Sequence, residues 1–475
     1  RDQDILCRTE TYGIYDAIAL IAAETIQQAQ DAAGVIDLDY EELPAVYDLD
    51  EAMKPGAVLA RPDINPNSNL LTEYHYFTGD ADHALAVAPV CVEHQFEVPA
   101  IEHCYLENDC AVARFLEDGM LEVYVGCHDI VTEQQILLDV LEMPKEKVRV
   151  ILPFMGGSFG GKDDGLICAY AALMARKACR PVRLWIDRSE EMAFHTKRHG
   201  QRLNIRMGFA LDGTIMGAAY RIVSDTGSSA HHGENIFKFI SVNACGPYRI
   251  PNVKVDTLVY YTNAMAMGAM RSWGMPGITF ANETMINLAA AELGMDPLKL
   301  RRLNGVTDGD RTLSGVPVPR SARFIECLDG MEKVPLTETG VLSPRYRYGV
   351  GYAAGAQGCN LHFGHPDEST VRLRVGTGGE IYIEVAANDL GQGLETTLDL
   401  IVSRVLDNYF IKKIHYLRPI SDYPVGGPTG ASRQTTLTGN AAYLAAVKLK
   451  EEIKKRCGGQ MPGDLAAWLM ANGEG

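Results

Sequence analysis

The sequence contains no long hydrophobic run and no excess of basic residues. No stretch of its 475 residues approaches 18 consecutive apolar positions, so no transmembrane helix is predicted. The 61 acidic residues outnumber the 44 basic ones and give a formal charge of −17. This balance argues against a nucleic-acid partner, whose phosphates require a basic surface. We expect a solvated acidic exterior instead.

The sequence also lacks paired cysteines and a visible signal peptide. Its 11 cysteines are scattered from Cys7 to Cys457 and never form a C-x-x-C pair. We therefore expect reduced thiols, as in the cytoplasm, and no iron–sulfur cluster within this chain. The N-terminal RDQD has neither Met nor an apolar segment behind a basic one, so we expect a processed or incomplete start.

The patterns that are present predict a mixed α+β fold. Apolar runs at Val148–Phe154 and Val182–Ile186 predict buried strands, and Leu166–Arg176 between them predicts a helix, which together favour a βαβ crossover. Alternation around an Asp-Gly turn predicts a hairpin over Asn204–Val223. An amphipathic helix is predicted over Asp16–Ala33.

Further helices and two boundaries follow from the same reasoning. Glu133–Leu141 is predicted to be helical with Thr132 as its N-cap, and Leu394–Val405 to be a second helix. The Pro- and Asn-rich stretch Pro62–Asn69 indicates a linker, and a domain boundary is expected within Asn304–Arg347.

A glycine-rich turn stands between the Val148–Phe154 strand and the following helix. Its segment Gly156–Lys162 satisfies the P-loop pattern G-x-x-x-x-G-K in the right context. A P-loop needs Ser or Thr next, whereas Asp163 and Asp164 follow, and their carboxylates would repel a triphosphate. The glycines serve either a tight turn alone or the close approach of backbone N–H groups to an anionic or oxo-bearing ligand.

Five segments resemble motifs of one family. The segment MGGSFGGKDD, which includes the glycine-rich turn, resembles the G-G-x-F-G-G-K-[ED] loop of the molybdopterin-binding large subunit in the xanthine dehydrogenase/aldehyde oxidoreductase family. The other four segments are similar to further motifs of that family and occur in family order. They are EHCYLENDC (Glu102–Cys110), AMRSWGMPG (Ala269–Gly277), NDLGQGLETT (Asn388–Thr397) and GPTGASRQTTLTGN (Gly427–Asn440).

The resemblance implies a domain order. Residues 1–55 would be the C-terminal part of an α/β-hammerhead domain, and residues 56–79 a linker. Residues 80–335 would form the first molybdopterin-binding domain, and residues 340–475 the N-terminal part of a second, truncated one.

The resemblance also implies an activity. In this family a pyranopterin, not protein ligands, holds the molybdenum, and the protein supplies binding and orientation. We therefore expect hydroxylation of an aldehyde or N-heterocyclic substrate with oxygen from water, and molybdopterin as the cofactor, in its cytosine dinucleotide form. Electrons would pass to partner subunits that carry Fe–S and FAD groups, in a cytoplasmic heteromer. A P-loop-like NTPase and a non-catalytic scaffold of the same fold remain as alternatives.

Twelve positions match the family's cofactor-binding motifs. They are Gly157, Phe159, Gly160, Gly161, Arg271, Gly391, Gln392, Gly393, Ala431, Ser432, Arg433 and Gln434. The resemblance implies that Gln392 hydrogen-bonds the cofactor. It also implies that the Ser432 hydroxyl, the Arg433 guanidinium and Gln434 hold the phosphate or nucleotide end.

Four residues are expected close to the metal without being its ligands: Phe159, Arg271, Ala431 and His128. His128 stands where the family has a Gln near the metal's oxo group, and an imidazole N–H is able to donate the same hydrogen bond. A histidine of structural role only is the alternative.

The catalytic residues implied by the resemblance are Asp163, Arg271 and Trp273. Asp163 falls where the family often has a substrate-contacting Glu, which is one methylene longer. Trp273 takes the position of an aromatic ring that stacks on substrate, or else is a core residue. Purine-type members of the family carry a substrate-clamping Arg ahead of a Y-x-I-P-N segment, whereas Lys238 is the only Lys or Arg between Gly227 and Tyr248 here. The resemblance therefore implies an aldehyde or another N-heterocycle rather than a purine.

One expected residue has no match in the sequence. The family's general base is a Glu in a G-x-G-E segment beyond the point where this chain ends, and the terminal ANGEG does not match it. We therefore expect either a truncated chain or a second molybdopterin subunit that supplies the Glu.

Overall fold

The computed structural model describes residues 2–163, 165–334, 340–359, 366–407, 409 and 413–472. Asp164, which follows the P-loop-like pattern, and the last three residues of ANGEG lie outside the described residues. The described helices are α1 (Ile26–Gly34), α2 (Leu49–Ala52), α3 (Ala81–Val87), α4 (Ile130–Leu141), α5 (Leu166–Ala178), α6 (Arg188–Phe194), α7 (Gly233–Val242), α8 (Met275–Leu293), α9 (Pro297–Asn304), α10 (Phe324–Glu332), α11 (Leu394–Val405), α12 (Leu437–Arg456) and α13 (Leu465–Asn472).

The strands are interleaved with these helices, which confirms the α+β class. In chain order they are β1 (Leu70–Thr78), β2 (Val90–Val98), β3 (Cys110–Phe115), β4 (Leu121–Val125), β5 (Val148–Ile151), β6 (Val182–Trp185), β7 (Lys197–Arg198), β8 (Gln201–Phe209), β9 (Ile215–Asp225), β10 (Val253–Tyr260), β11 (Met267–Gly268), β12 (Gly340–Ser343), β13 (Tyr346–Tyr348), β14 (Arg372–Val375), β15 (Ile381–Glu384) and β16 (Ile414–Tyr416).

The largest sheet has five strands in the order β1-β10-β9-β8-β2. Its pairs are antiparallel except β9 and β10, and β8 with β9 is the hairpin predicted from the Asp-Gly turn. Alternate side chains of β8 are buried under α8, as expected for a sheet with one covered face. Helices α7 and α8 pack on this sheet and complete its hydrophobic core.

A four-stranded sheet in the order β5-β4-β3-β6 carries the glycine-rich turn. Helix α5 connects β5 to β6 on the far edge and packs on β3, β4 and β6, so the predicted crossover spans two intervening strands. α4 packs beside α5, and the two helices bury the apolar residues of all four strands. The turn after β5 is therefore fixed at both ends by a packed core.

The second half of the chain attaches to the edge of that sheet. Its own three strands, β14-β15-β16, pack against α11 and α12. The segment after β16 reaches β5, where Leu152 N–H donates to the Pro419 carbonyl at 3.0 Å and Ser421 N–H to the Val150 carbonyl at 3.0 Å. This pairing places the loops of the second half beside the glycine-rich turn.

Two sequence predictions about helix starts were wrong. The helix expected over Asp16–Ala33 begins only at Ile26, because Thr25 and Gln28 form a capping box there. The preceding segment forms a turn in which Asp16 accepts the backbone N–H groups of Tyr12 and Gly13.

The predicted N-cap of α4 was also wrong. Asp129, not Thr132, accepts a backbone N–H at the start of this helix, and the Thr132 hydroxyl donates to Asp129. Asp is as good a cap as Thr, and it stands at the residue where the chain turns into the helix.

The predicted linker, residues 56–79, is shorter than expected. Its first part, up to Asn69, is irregular, but Leu70–Thr78 forms β1, an edge strand of the five-stranded sheet. Residues 2–69 contain α1 and α2 and no strand, so the partial hammerhead domain stays a prediction. None of the described helices combines the length and apolarity needed to span a bilayer.

Candidate functional site

The glycine-rich turn, residues Met155–Asp163, is called the glycine loop below. Phe159 and Gly160 have positive φ angles of 57° and 107°. A Cβ on Gly160 would lie 2.7 Å from the Ala269 carbonyl oxygen, so only glycine fits there. Arg271 N–H donates to the Phe159 carbonyl at 2.7 Å. The glycine loop therefore lies directly against the arginine loop, defined as Ala269–Gly274.

The EHCYLE segment holds these two loops together. His103 Nε2 lies 2.8 Å from the Ala269 carbonyl, which only accepts, so the imidazole donates. A Cβ on Gly161 would lie 2.6 Å from the buried ring of Tyr105. Burial alone would raise the pKa of the Glu102 carboxyl, but the His103 hydrogen bond and the Lys197 ammonium lower it to about 2. The segment is thus a packed, charged support beneath the site.

His128 connects the glycine loop to the second half of the chain. Its Nδ1 lies 2.6 Å from the Thr429 carbonyl and must donate to it. Its Nε2 therefore accepts, from the Ser158 hydroxyl at 2.7 Å and from Gly160 N–H at 3.1 Å. In this tautomer the neutral ring has no further N–H to donate to an oxo group. His128 therefore does not make the hydrogen bond that the sequence predicted for it. His128 is a positioning residue for the loop.

Two loops of the second half meet the glycine loop. They are the glutamine loop, Asn388–Gly393, and the serine loop, Gly427–Gln434. Asn388 Nδ2 donates to the Cys127 carbonyl at 2.7 Å, and the Thr429 hydroxyl donates to the Asn388 carbonyl at 2.9 Å. A Cβ on Gly391 would lie 3.6 Å from the Met155 carbonyl, in ordinary van der Waals contact. Four motif segments far apart in sequence are therefore brought together.

Backbone strain is concentrated on these loops. Among the described residues, 11 non-glycine positions have positive φ. Glu142, Cys179 and Asp407 stand at or next to the C-terminal ends of helices, and Arg323 ends the 3₁₀ turn Arg320–Ala322; a left-handed residue is ordinary at such positions. The remaining seven lie on the site loops or the segments that contact them: Cys104, Phe159, His231, Ser272, Trp273, Ala431 and Ser432. Strained residues outside helix ends are typical of ligand-contacting sites.

Three helices begin directly after the site loops without a side-chain cap. α5, α8 and α12 begin just after the glycine, arginine and serine loops, and no side chain caps them. α11, which follows the glutamine loop, differs: the Asp389 carboxylate accepts the Glu395 N–H of its first turn at 2.9 Å. α1, α2, α3, α4, α6 and α9 are each capped by a Thr or Asp side chain, whereas α7 and α10 also begin without one. A helix N-terminus carries partial positive charge, which suits an anionic ligand.

Lys162 does not occupy the position of a P-loop lysine. Its ammonium is buried, lies 3.1 Å from Glu107 Oε2 and stands 4.7 Å from the centre of the Tyr105 ring. Glu107 also accepts the Gly156 N–H at 2.7 Å. The charge of Lys162 is thus neutralised inside the protein, where its ion pair with Glu107 stabilises the base of the glycine loop. The lysine of the P-loop pattern, which favoured an NTPase, is therefore not available for a phosphate.

Arg433 is engaged within the protein in the same way. Its guanidinium donates to Asp367 and to the carbonyls of Gly426, Pro428 and Glu368, and its side chain is 1% exposed. Gln434 is also buried and bonds the carbonyls of Gly427 and Pro428. The expectation that both side chains hold a phosphate does not fit these contacts; they shape the serine loop.

The exposed members of the predicted set lie on the outer side of these loops. Arg271, Phe159, Ala431 and Ser432 are all exposed to solvent. Gln392 is exposed too, but its amide is folded back, with Oε1 accepting Leu390 N–H at 2.6 Å and Nε2 donating to the Asn388 carbonyl at 3.2 Å. A role of these side chains in cofactor binding stays a prediction.

Asp163 and Trp273 meet at His232, a residue that the sequence reasoning missed. His232 Nε2 lies 3.0 Å from Asp163 Oδ2, and its ring centre lies 5.7 Å from that of Trp273. Only the doublet His231–His232 before a helix marks the position in the sequence, and a surface histidine would give the same pattern.

The described residues offer no cluster of three or more His, Cys, Asp or Glu side chains that could hold a metal ion. The Cys127 thiol, 3.6 Å from Asn388 Nδ2, is buried, and burial and the nearby Glu133 raise its pKa well above the usual range. It therefore stays protonated and packs as an apolar group.

Family models match most of the chain. A model described as a molybdopterin cofactor-binding domain matches residues 63–305, and a second model of the same description matches residues 334–472. Both matched regions contain site loops: the glycine and arginine loops fall in the first and the glutamine and serine loops in the second.

Individual relatives agree with the family models. The chain is 30% identical over 456 residues to a probable xanthine dehydrogenase subunit from Bacillus subtilis, covering 96% of this chain and 61% of the relative. It is 31% identical over 322 residues to the nicotinate dehydrogenase large molybdopterin subunit of Eubacterium barkeri, covering 68% of this chain and 74% of the relative.

A solved structure shares the fold. The aldehyde oxidoreductase from Desulfovibrio gigas superposes with a TM-score of 0.87 at 26% identity, covering 98% of this chain and 51% of that one. The chain thus spans between about half and three quarters of the length of these relatives.

Proposed function

Since this chain belongs to the family of molybdopterin cofactor-binding domains, we propose that it is the cofactor-binding part of a molybdenum hydroxylase. The proposed substrate is an aldehyde or an N-heterocycle, and the proposed partners are Fe–S and FAD subunits of a cytoplasmic assembly. One observation carries the proposal: the glycine, arginine, glutamine and serine loops, which match the family's motifs, meet and are bonded together through His128 and Asn388.

The residues present suit an anionic cofactor of this kind. The starts of α5, α8 and α12, which have no side-chain cap, follow the glycine, arginine and serine loops. The Gly160 backbone lies so close to the arginine loop that a Cβ there would collide with it. When bound, the molybdenum group supplies two-electron redox chemistry and activation of water. The cytosine dinucleotide form of the cofactor is part of the proposal.

Each loop has a proposed task. The backbone of Phe159 and Gly160, with Arg271 and Ala431, would lie against the metal end of the cofactor. Gly157, Gly161 and the glutamine loop would lie along the pterin. The Ser432 hydroxyl and the start of α12 would bind the anionic end of the cofactor. His128, Lys162 and Arg433 hold the loops in these positions without contacting the cofactor.

Asp163 and Trp273 form the proposed substrate side of the site. The indole of Trp273 offers a flat apolar surface, and Asp163 a polar group at the end of the glycine loop. We propose that the general base is a Glu of a G-x-G-E segment outside these 475 residues, either on the same polypeptide or on a second subunit.

The proposal is tested by the composition of the native assembly. Protein purified from a host that makes the cofactor is analysed for molybdenum by mass spectrometry and for pterin by fluorescence after oxidation. We expect near-stoichiometric molybdenum and a pterin released with a cytosine nucleotide. Assembly that is folded but free of both would contradict the proposal and favour the scaffold alternative.

The NTPase alternative has its own test. Because Lys162 is paired with Glu107 inside the protein, we expect no binding of a fluorescent ATP analogue by the wild-type assembly, and no change in the Lys162→Ala variant. Nucleotide binding that disappears in this variant would revive the alternative.

A further inference from the structure

His232 lies on the segment before α7, and it contacts the end of the glycine loop. Its Nε2 is 3.0 Å from Asp163 Oδ2, across 69 positions of sequence. An ionised carboxylate only accepts hydrogen bonds, so Nε2 carries the hydrogen and Nδ1 is the ring's second polar atom. The carboxylate thereby fixes the tautomer and the plane of the imidazole, as in other Asp–His pairs.

Aromatic packing fixes the same ring from another side. The imidazole of His232 and the indole of Trp273 are 5.7 Å apart with an interplanar angle of 35°, and Phe239 of α7 meets the indole edge-on at 6.4 Å. The backbone of Trp273 has a positive φ of 45°, which is costly for a bulky residue and is held by the arginine loop. His232 is therefore oriented by two contacts rather than left to rotate.

The pair remains open to solutes. The side chains of His232 and Asp163 are 30% and 32% exposed, whereas most polar side chains that support the loops are buried. Exposed Phe159 and Arg271 belong to the two loops that carry Asp163 and Trp273. Trp273 is partly exposed as well, so the imidazole, the carboxylate and the indole each keep a surface open to solvent.

We propose that His232, held by Asp163, is a specificity-determining residue that contacts the polar edge of a planar nitrogen-heteroaromatic substrate placed against Trp273. This inference rests on the proposed function and narrows its substrate class. Neither the proposed function nor the motif resemblance assigns a role to His232. Asp163 is then both a substrate-side group and the residue that positions the imidazole.

The chemistry of the three side chains selects this class. A flat aromatic ring gains contact with the indole that a small aliphatic aldehyde cannot offer. Nδ1 of His232 accepts a hydrogen bond when the imidazole is neutral and donates one when it is charged. Ring N–H groups, ring nitrogens and carboxylates of heteroaromatic compounds provide partners for both states, whereas an alkyl aldehyde has a single carbonyl acceptor.

The test compares ligands in the native, molybdenum-containing assembly. The probes are nicotinate and xanthine as heteroaromatics and acetaldehyde as the aliphatic control. Dissociation constants come from tryptophan fluorescence, and KM and kcat from turnover of each probe. In His232→Gln we expect nicotinate or xanthine to bind about two- to tenfold more weakly, the value of one hydrogen bond. KM should rise while kcat changes less, and acetaldehyde parameters should stay the same.

Two further variants serve as controls for the effect of His232→Gln. Asp163→Asn removes the charge that orients the imidazole and should weaken the same heteroaromatic probe. His94→Gln, on the exposed face of β2, should match wild type in every measurement. Molybdenum content is measured in each sample, so a wild-type assembly without metal counts against the proposed function alone.

Three results would overturn the inference. If His232→Gln binds the heteroaromatic probes as tightly as wild type does, His232 does not contact them. Wild-type assembly that takes acetaldehyde but neither heteroaromatic would contradict the substrate class. A loss of kcat at unchanged KM for every probe would make His232 a general proton carrier rather than a specificity residue.

Discussion

Two sets of polar side chains on the same loops behave in opposite ways. Lys162 and Arg433 are buried, and every ring nitrogen of His128 is taken by a protein partner. Arg271 and Ser432 are exposed on the outer side of the same loops. The first set, here the inner set, shapes the loops, whereas the second, the outer set, is where a ligand would be met. A match to a motif therefore does not distinguish a residue that contacts the ligand from a residue that holds the binding loop in position.

The largest effect that separates the two sets is on stability. Arg433→Met leaves the Asp367 carboxylate and three backbone carbonyls without their donor, so we expect the free energy of unfolding to fall by about 3–5 kcal/mol. Arg271→Met, from the outer set, should change it by less than about 0.5 kcal/mol. Chemical denaturation of the assembly, followed by circular dichroism, measures both. Equal losses would erase the distinction between inner and outer sets.

A pair of glycines tests whether close approach of the loops is needed for the cofactor. Gly160 and Gly119 both have positive φ, but a Cβ on Gly119 meets open space, whereas one on Gly160 lies 2.7 Å from the Ala269 carbonyl. Each Ala substitution costs about 1–2 kcal/mol of backbone strain. Gly160→Ala should in addition lose most of its molybdenum, and Gly119→Ala should keep it. Metal content that falls equally in both variants would show that strain alone is responsible.

His199, a buried histidine between β7 and β8, should make stability depend on pH. Burial, reinforced by His231, lowers the pKa of His199 to about 3, below its usual 6.5. As the pH falls below 6.5, the unfolded chain binds a proton that the folded chain refuses, so stability is lost on the acid side, by at most about 1.4 kcal/mol per pH unit. His199→Gln should flatten the stability profile between pH 6.5 and 5. His94→Gln, on the surface, should leave it unchanged; an unaltered profile in both variants would contradict the assignment.

The smallest expected effect concerns helix starts. Asp129→Ala removes a side-chain cap from α4 and should cost about 1 kcal/mol. Thr436→Ala, at the uncapped start of α12, should cost only a few tenths in the cofactor-free protein, because the Thr436 side chain caps nothing. Thermal denaturation of the two variants compares them. A large loss in Thr436→Ala without cofactor would mean that this start is capped after all.

The sequence was sufficient for several core elements and for the meeting of the loops. α11 has the predicted bounds, and β8 and β9 form the predicted hairpin, because their apolar periods and turn residues are unambiguous. The four loops come together because each follows a strand, or a pair of strands, that a packed hydrophobic core holds in place. Long, periodic segments and motifs in family order were the informative signals.

The sequence was not sufficient to predict which partners the polar side chains bind. Arg433 has the residue type and place of a phosphate ligand, yet its partners are Asp367 and carbonyls brought near by folding. His128 was expected to donate, and only the Thr429 carbonyl, 301 residues away, fixes the opposite tautomer. His232 gave no local signal, because its partner Asp163 comes from another loop. These contacts depend on tertiary structure and no local pattern encodes them.

The most direct test of the account locates the metal itself. Crystals of the native assembly are measured at energies on either side of the molybdenum absorption edge, and the anomalous difference map is calculated. We expect one strong peak per chain, beside Phe159, Arg271 and Ala431, with the inner set bonded as described. A peak remote from these residues, in an assembly that contains stoichiometric molybdenum, would contradict the claim that the four loops form the cofactor site.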